Sequence, residues 1–253
     1  MHDRRTKSRY TSIDGRSRSF WRAMSGGRNA VTDELAGEDR PKRERNAKKS
    51  RQAILNAAKS EFCLYGFSGA RVERIARKSK ANMRMIYHYF GSKEGVYLAV
   101  LETIYGEIRE GENKLDLTHA EPLEGIRKLI GFTFDFFAAR RDVLALINSE
   151  NTMKGRFLKR LPHVQAMTLP LVETIRGILD RGQGQGVFRG DVDPVQLYVS
   201  IVALSQLHLL SQFTLSVIFA QDLSDPDWLA QRRVHIERML VSYLTDRNAP
   251  GPA

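Results

Sequence analysis

Cysteine is almost absent from this chain of 253 residues, and Cys63 is its only representative. A single cysteine cannot form an intrachain disulfide, and no metal-ligand spacing surrounds it. Its helical, partly apolar surroundings favour a buried structural thiol over a reactive one. The sequence therefore predicts neither a disulfide scaffold nor a metal site at this residue.

Two further absences concern location and catalysis. No apolar run stands near the N-terminus where a secretory signal would have one, so we expect a cytoplasmic protein. The six histidines are scattered singly, and the Gly182–Gly186 run precedes no strand, which excludes a nucleotide-binding fingerprint. We therefore expect no enzyme, no catalytic residue, no cofactor and no bound metal.

Charged residues are missing from one long segment, because residues 194–221 include no Asp, Glu, Lys or Arg. A helix of this length could cross a bilayer at about 1.5 Å rise per residue. The segment also contains ten polar side chains, which would be costly in hydrocarbon. We interpret it as one helix buried by the protein and partly by a second copy of the chain, with no membrane partner.

Acidic residues are scarce in the first hundred residues, which hold 23 Lys and Arg against 10 Asp and Glu. The rest of the chain is near neutral, so the net charge of +11 comes from the N-terminal part. A basic module indicates a polyanionic partner, either nucleic acid or an anionic membrane. Residues 1–46 have few aliphatic side chains, and we predict a disordered basic arm there. Met24 lies within this arm and is a second candidate for the first residue of the native protein.

Helical periodicity dominates the rest of the chain. An apolar stripe from Ile54 to Phe62 marks a first helix, and Val72, Ile75 and Ala76 mark a short second one. Later helices are predicted to begin near Pro122, Asp142, Pro162, Pro194 and Asp225 or Asp227. We predict an all-α protein with a helix-turn-helix domain over residues 47–92 and a second helical domain over residues 93–247.

The third predicted helix has the sequence MRMIYHYF, with Asn82 as its N-cap and Gly91 at its end. Two short helices joined by a tight turn are typical of a helix-turn-helix. Helical spacing places four residues on the outward face: Met83, Arg84, Tyr87 and His88. Such a face suits the DNA major groove, where Arg pairs with guanine and the rings donate to phosphates. Ser92 and Lys93 add a helix N-terminus and an ammonium, which together form an anion site.

Three sequence stretches carry a family resemblance: Gly66-Phe67, Val72-x-x-Ile75-Ala76 and Ile86-Tyr87-His88-Tyr89-Phe90-x-Ser92-Lys93-Glu94. Together they resemble the DNA-binding domain of the tetracycline-repressor (TetR) family. Residues 186–194 are similar to the turn before the penultimate helix of that family. The resemblance implies a homodimeric repressor of a palindromic double-stranded DNA operator, controlled by a small-molecule inducer of unknown identity. It also implies that Tyr87 and Lys93 contact DNA.

The turn departs from the family pattern, because Ser79-Lys80-Ala81-Asn82 replaces the usual Ala-Gly-Val-Ser. Lys80 stands where glycine is common, so we expect an unusual φ there. Arg71 replaces a threonine, which should make DNA binding more electrostatic. The predicted DNA contacts are Arg71, Asn82, Met83, Arg84, Tyr87, His88 and Lys93.

The second domain is predicted to enclose a ligand pocket between its helices and to form the dimer. The candidate pocket residues are Phe134, Phe137, Asn148, Asn151, Met153, His163, Met167, Gln206 and His208. Each also fits an ordinary core or interface position. This mixture suits a small polar or aromatic metabolite better than a large lipophile. The alternative function is a constitutive basic DNA-binding protein without ligand control, although such a protein has no need of about 150 further helical residues.

Overall fold

A computed structural model of the chain describes residues 31–246, with side chains from Glu44 onward except that of Gln165. Within this range the chain forms α-helices and one 3-10 turn and contains no strand, which confirms the predicted all-α class. The helices are α1 (Val31–Gly69), α2 (Val72–Ser79), α3 (Met83–Phe90), α4 (Lys93–Asn113), α5 (Pro122–Ala139), α6 (Arg141–Thr152), α7 (Pro162–Gly184), α8 (Pro194–Leu210), α9 (Gln212–Ile218) and α10 (Pro226–Thr245). The 3-10 turn covers Leu158–Arg160.

Helix α1 begins at Val31, inside the segment that the sequence predicted as a disordered arm over residues 1–46. Residues 1–30 of that arm lie outside the described residues. Residues 31–46 include seven Glu, Lys and Arg residues, which have high helix propensity, although Gly37 and Pro41 lie in the same stretch. Glu44 also precedes Lys48 by one helical turn, a favourable ion-pair spacing. The prediction differs because it relied on apolar periodicity, and a polar helix has none.

The three helices of the predicted helix-turn-helix pack around a small apolar core. The predicted stripe residues Ile54, Ala57, Ala58 and Phe62 are buried, together with Val72, Ile75, Ala76 and Ile86. Gly66 interrupts α1 with φ 62° and ψ −178°. This conformation lies in a region that residues with a side chain rarely adopt, and it turns the chain toward α2.

The predicted caps of α3 and α4 are present. Asn82 accepts a hydrogen bond on its Oδ1 atom from the Met85 backbone N–H at 2.8 Å. Gly91 ends α3 with φ 74°. Ser92 accepts a hydrogen bond on Oγ from the Gly95 backbone N–H at 3.1 Å. Asn82 and Ser92 each satisfy a backbone donor that a helix start leaves without a partner, so α3 and α4 follow one another through a short corner at Gly91.

Tyr97 on α4 joins the DNA-binding helices to the rest of the protein. Its buried ring lies 4.9 Å from the ring of Phe62, 5.1 Å from Phe67 and 4.9 Å from Phe157. Its hydroxyl donates to Oε2 of the buried Glu150 at 3.4 Å. The other Glu150 oxygen accepts the backbone N–H groups of Phe157 and Leu158, at 2.7 and 2.9 Å. One aromatic cluster thus joins three elements: helix α1, helix α4 and the turn after α6.

A second apolar core lies between α5, α7, α8 and α10. Its fully buried side chains include Ile126, Leu129, Ile175, Ile178, Ile201, Ile236 and Leu244. Helix α5 is central because it contacts α7, α8 and α10. Helix α8 begins as predicted, with Pro194 in the first turn and Asp193 accepting the Gln196 backbone N–H at 2.8 Å.

The structure corrects the prediction for the uncharged segment. Residues 194–221 were predicted as one helix, but α8 and α9 are separate helices bent by 71°. Near the bend the Ser211 carbonyl accepts both the Thr214 hydroxyl and the Leu215 backbone N–H, each at 3.0 Å. Between residues 31 and 246 no single helix is long and apolar enough to cross a membrane. The bent pair of α8 and α9 meets these two criteria only when its helices are taken together. Helix α7 ends at Gly184, inside the Gly182–Gly186 run.

The turn between α2 and α3 places Lys80 at φ 56° and ψ 23°, in the left-handed region, as the sequence predicted. This conformation costs a residue with a side chain roughly 1 kcal/mol. We expect Lys80→Gly to leave the free energy of unfolding unchanged or raise it by up to about 1 kcal/mol. Lys78→Gly, inside the exposed face of α2, should lower it by about 1 kcal/mol. Urea denaturation of both variants tests this, and equal destabilisation by the two changes contradicts the strained turn.

Candidate nucleic-acid interface and ligand site

The outward face of α3 is exposed to solvent. Met83 and Tyr87 retain 36% and 43% of their accessible surface, and Asn82, Arg84 and His88 are exposed as well. On the opposite face Ile86 is fully buried, and Tyr89 and Phe90 pack against the first core. The helix therefore presents one cation, two hydrogen-bonding rings and an amide to solvent while its aliphatic side holds the fold.

Helix α2 adds positive charge beside this face. Arg71, Arg77, Lys78 and Lys80 are exposed, with Glu73 as the one exposed acid of the same helix. Helix α3 itself contains no acidic residue. A solvent-facing surface with this balance attracts a phosphate backbone.

Arg74 has a structural role within this basic region. Its Nε donates to Oε1 of the buried Glu61 at 2.6 Å, and one terminal nitrogen donates to the Gly69 carbonyl at 2.7 Å. Glu61 also accepts the Arg71 backbone N–H at 3.0 Å. Burial alone would raise the pKa of the Glu61 carboxyl, but these hydrogen bonds hold the pKa below its usual range. Arg74 thus fastens α2 to the end of α1.

Lys93 is the predicted contact residue with the most intramolecular contacts. Its ammonium lies 4.8 Å from the centre of the Phe67 ring and 3.5 Å from the Ser68 carbonyl oxygen. Partial burial lowers the pKa of this ammonium. The residue therefore packs on the end of α1, and a substitution there changes packing as well as charge.

Family comparisons match both parts of this architecture. The model described as bacterial regulatory proteins, tetR family, matches residues 54–100. The model described as tetracyclin repressor-like, C-terminal domain, matches residues 122–240. The chain is also 35% identical over 191 residues to the HTH-type transcriptional repressor NicS of Pseudomonas putida, covering 74% of this chain and 90% of that protein. The chain belongs to the TetR family of transcriptional regulators.

Further TetR relatives support the same assignment. The HTH-type transcriptional repressor SCO4008 of Streptomyces coelicolor is 30% identical over 163 residues, covering 64% of this chain and 79% of that protein. The structure of SCO4942 from Streptomyces coelicolor has a TM-score of 0.59 at 29% identity, covering 77% of this chain and 98% of that one. A TetR regulator from Chloroflexus aurantiacus shares the fold, with a TM-score of 0.59 at 21% identity over 80% and 98% of the two chains. These matches confirm the predicted helix-turn-helix and C-terminal helical domain and a regulator rather than an enzyme.

The predicted ligand residues of this TetR protein do not share one site. Phe134 and His208 are buried and stacked, with ring centres 5.4 Å apart. Gln206 lies on the same helix as His208 and is half-buried. Phe137 is buried in the first core instead. The others are spread over α6, α7 and the turn between them: Asn148 and Asn151 are exposed, Met153 and Met167 are half-buried, and the Nε2 atom of His163 lies 3.0 Å from Glu102 Oε1.

Two places in the C-terminal part are candidates for a ligand site, one because it is a cavity and the other because it has buried polar groups without hydrogen-bond partners. The first is a half-open cavity of about 840 Å³ between α4, the 3-10 turn and α7. Its lining is mainly apolar: Tyr105, Leu158, Leu161, Pro162, Val164 and Leu169, with Lys159 and Thr168 as polar members. None of the predicted ligand residues lines it, because they were chosen by residue type and the cavity walls are ordinary aliphatic residues.

The second place surrounds His208, where buried polar groups lack hydrogen-bond partners. Ser205 Oγ and the Nε atom of Arg232 are buried without a partner in the part of the chain with described side chains. The His208 ring is buried beside them, and its backbone hydrogen-bond partner is Leu204 on the same helix. The ring of Trp228 lies 5.6 Å from that of His208. Sequence reasoning identified His208 but missed Ser205, Trp228 and Arg232. One sequence signal could have identified the buried polar face: helical spacing places Ser205, His208 and Gln212 on one side of the uncharged segment. Nothing in the local sequence distinguishes Arg232 from its neighbour Arg233.

Cys63 is partly buried, and its thiol carries no sign of activation. Burial raises its pKa to about 11, with a smaller contribution from Asp142. The thiol is therefore protonated at neutral pH, and the thiolate is the form that reacts. This agrees with the structural role that the sequence predicted.

His208 should make the stability of the protein depend on pH. Burial, with help from Arg232, lowers its pKa from 6.5 to about 4, so the folded state holds the neutral ring. A group with a lowered folded-state pKa contributes stability above the unfolded pKa and loses it as the pH falls, here from about 6.5 toward 4. By pH 5 the loss should be roughly 2 kcal/mol.

Urea denaturation at pH 7.5 and pH 5 measures this contribution. We expect the free energy of unfolding to fall less between these two pH values in His208→Gln than in the wild type. His235→Gln, which changes an exposed histidine on α10, should follow the wild-type slope. Parallel slopes for all three proteins would show that the ring is not held neutral by its surroundings.

Proposed function

We propose that this TetR protein is a transcriptional repressor that binds a palindromic DNA operator as a homodimer and releases it when a small molecule binds. The exposed face of α3 carries this proposal, because the side chains of Arg84 and Tyr87 make no hydrogen bond or ion pair among the described residues while Ile86 behind them is fully buried. The relatives NicS and SCO4008 are both named transcriptional repressors. The proposed DNA-contact residues are Arg71, Asn82, Met83, Arg84, Tyr87, His88 and Lys93.

The homodimer is supported by apolar side chains that one subunit leaves exposed. On α8 these are Val195, Val199, Leu207 and Leu210, and on α10 they are Val234, Met239 and Tyr243. The opposite sides of both helices face the second core, through Leu197, Ile201, Ile236 and Leu240. Two-fold pairing of α8 and α10 would cover the exposed set in a four-helix bundle. Such a dimer presents two α3 helices to successive major grooves, about 34 Å apart, and so requires a palindromic operator.

Control by a ligand is supported by the path that α4 takes. The helix begins directly after α3 and ends beside α8, where Arg109 donates to the Tyr198 hydroxyl at 2.7 Å. That hydroxyl donates in turn to Glu112 Oε1 at 2.8 Å. A change in the packing of α7 or α8 would therefore move α4 and, with it, the spacing of the two α3 helices. An effector can shift this equilibrium only by its difference in affinity for the two arrangements.

The α3 surface is tested by fluorescence anisotropy with operator DNA. Tyr87→Ala should weaken binding by about tenfold or more, since each lost contact to phosphate costs roughly 1–3 kcal/mol. Lys93→Met removes the charge but keeps a side chain over Phe67, and it should lower the salt slope of log K by about 0.9 per subunit. Lys128→Met, an exposed lysine on α5, is the charge-matched control and should bind as the wild type does. If Tyr87→Ala and Lys93→Met also bind as the wild type does, the surface is assigned wrongly.

The dimer surface is tested by analytical ultracentrifugation at micromolar concentration. The wild type should sediment at twice the chain mass of 28.8 kDa. Val199→Glu places a charge on a side chain that is 55% exposed in one subunit, so it should leave the fold intact and give a monomer. Leu169→Glu changes an equally exposed leucine away from α8 and α10 and should remain a dimer. A monomeric wild type, or a dimeric Val199→Glu, contradicts the proposed bundle.

The constitutive DNA-binding protein is the alternative function. It shares the basic helix-turn-helix but needs neither the cavity beside α7 nor unsatisfied polar groups in a buried core. The two functions separate in one experiment, a thermal-shift screen of small metabolites repeated with operator DNA. A ligand that raises the melting temperature of the free protein and displaces the operator supports the repressor, and tight ligands that leave operator affinity unchanged support the alternative.

A further inference from the structure

Two side chains beside the second core hold hydrogen-bond donors without acceptors among residues 44–246. The Ser205 hydroxyl is fully buried, and the Nε atom of Arg232 is buried as well. His208 lies beside them and is 97% buried, with Leu204 on its own helix as the backbone hydrogen-bond partner of its ring. Leaving a buried polar group unpaired is unfavourable. A ligand that accepts these hydrogen bonds would recover that cost.

The charge around these donors is positive. Burial lowers the pKa of Arg232, and no carboxylate of the described side chains pairs with it. The neighbouring Arg233, by contrast, is paired, because its Nε donates to Asp135 Oδ1 at 2.9 Å. On the far side of His208, Arg141 donates to Gln212, with Asp222 near enough to feel its charge. The surroundings of His208 and Arg232 therefore repel a cation and favour an anion.

The side chains that surround the donors define the rest of the ligand. The ring of Phe134 stacks on His208 with an interplanar angle of 13°, and the ring of Trp228 lies on another side of it. Helical spacing places Trp228 and Arg232 on one face of α10, and Ser205 and His208 on one face of α8. A ligand that opened this cluster would meet apolar rings on its body and donors at one end.

We propose that the cluster of Ser205, His208, Trp228 and Arg232 binds a small carboxylic acid with a compact apolar body, and that this acid is the effector of the regulator. The guanidinium of Arg232 provides a planar pair of N–H donors that fits the two oxygens of a carboxylate. The Ser205 hydroxyl adds a further donor, and the neutral His208 ring adds a flat surface beside it. An amide or alcohol of the same shape leaves the guanidinium unpaired and binds more weakly. The effector role rests on the ligand control proposed above, whereas the anion site does not.

Binding can be followed without DNA because the site contains its own fluorophore. The chain has two tryptophans, Trp21 and Trp228, so a Trp21→Phe background makes Trp228 the only reporter. The probes are benzoate, phenylacetate and hexanoate, with benzamide as the uncharged analogue and benzylammonium as the cation. We expect a saturable change of Trp228 fluorescence with at least one carboxylate, and at least about tenfold weaker binding of benzamide, the loss of one charge-assisted hydrogen bond.

Two variants test whether Arg232 provides the charge. Arg232→Gln should weaken carboxylate binding by at least about tenfold, while Arg233→Gln on the same helix should stay within about twofold of the wild type. Arg232→Gln removes an unpaired charge from a partly buried position, so it should melt no lower than the wild type. Ser205→Ala is the second variant, and it should weaken binding without changing the fold.

The proposal is overturned if no carboxylate gives a saturable response, if benzamide binds as tightly as benzoate, or if Arg232→Gln and Arg233→Gln bind alike.

Measuring operator affinity in the presence of each carboxylate then tests the effector role separately from the anion site. A carboxylate that binds and displaces the operator supports both parts. One that binds and leaves operator affinity unchanged supports the anion site but contradicts its effector role. Displacement by a neutral metabolite, with no carboxylate binding, contradicts the anion site while the proposed ligand control stands.

Discussion

The contact of Tyr97 with three aromatic rings holds the DNA-binding helices to the C-terminal helices. Phe62 and Phe67 come from the end of α1, Phe157 comes from the turn after α6, and all three meet on one side chain of α4. The buried Glu150 completes the cluster by binding the Tyr97 hydroxyl and two backbone N–H groups. Because a packed core of this kind has low compressibility and transmits strain, we expect a shift of α4 to be passed on toward α3.

This arrangement explains how a small ligand site and a distant DNA surface can belong to one mechanism. Helix α4 has its first turn beside α3 and its last turns bonded to Tyr198 of α8. The proposed anion site lies between α5, α8 and α10, and α8 and α10 are the helices that we propose to form the dimer. An occupant that changed their packing would act on the dimer geometry and on α4 together. The energy required is modest, since about 3 kcal/mol of coupling lowers DNA affinity more than a hundredfold.

Much of the DNA-binding half was predictable because its determinants are local. Caps such as Asn82, the glycine at 91 and the spacing of Ile86 against Tyr87 act within one or two helical turns, and the structure follows all of them. The left-handed Lys80 was predictable for the same reason. Residues 31–46 were the exception, because a polar helix leaves no apolar pattern in its sequence.

The C-terminal half was less predictable because its features depend on which helices meet. Phe134 and His208 were recognised as candidates, yet their stacking required the packing of α5 on α8. Arg232 and Arg233 are neighbours of the same type, and only Asp135 on another helix makes one paired and the other unpaired. The bend at Ser211 likewise divided a segment whose composition indicated a single helix. Residue type alone could therefore suggest candidate ligand residues, but it could not show which of them lie together in the fold.

The central claim is that two copies of the α3 surface bind DNA across a two-fold axis. The most direct test selects binding sites for the full-length protein from a pool of random duplexes and sequences the retained DNA. The account predicts an inverted repeat whose half-sites are centred about one helical turn or more apart. Retention of sequences with no common motif, or of a single half-site without its inverted copy, would contradict it.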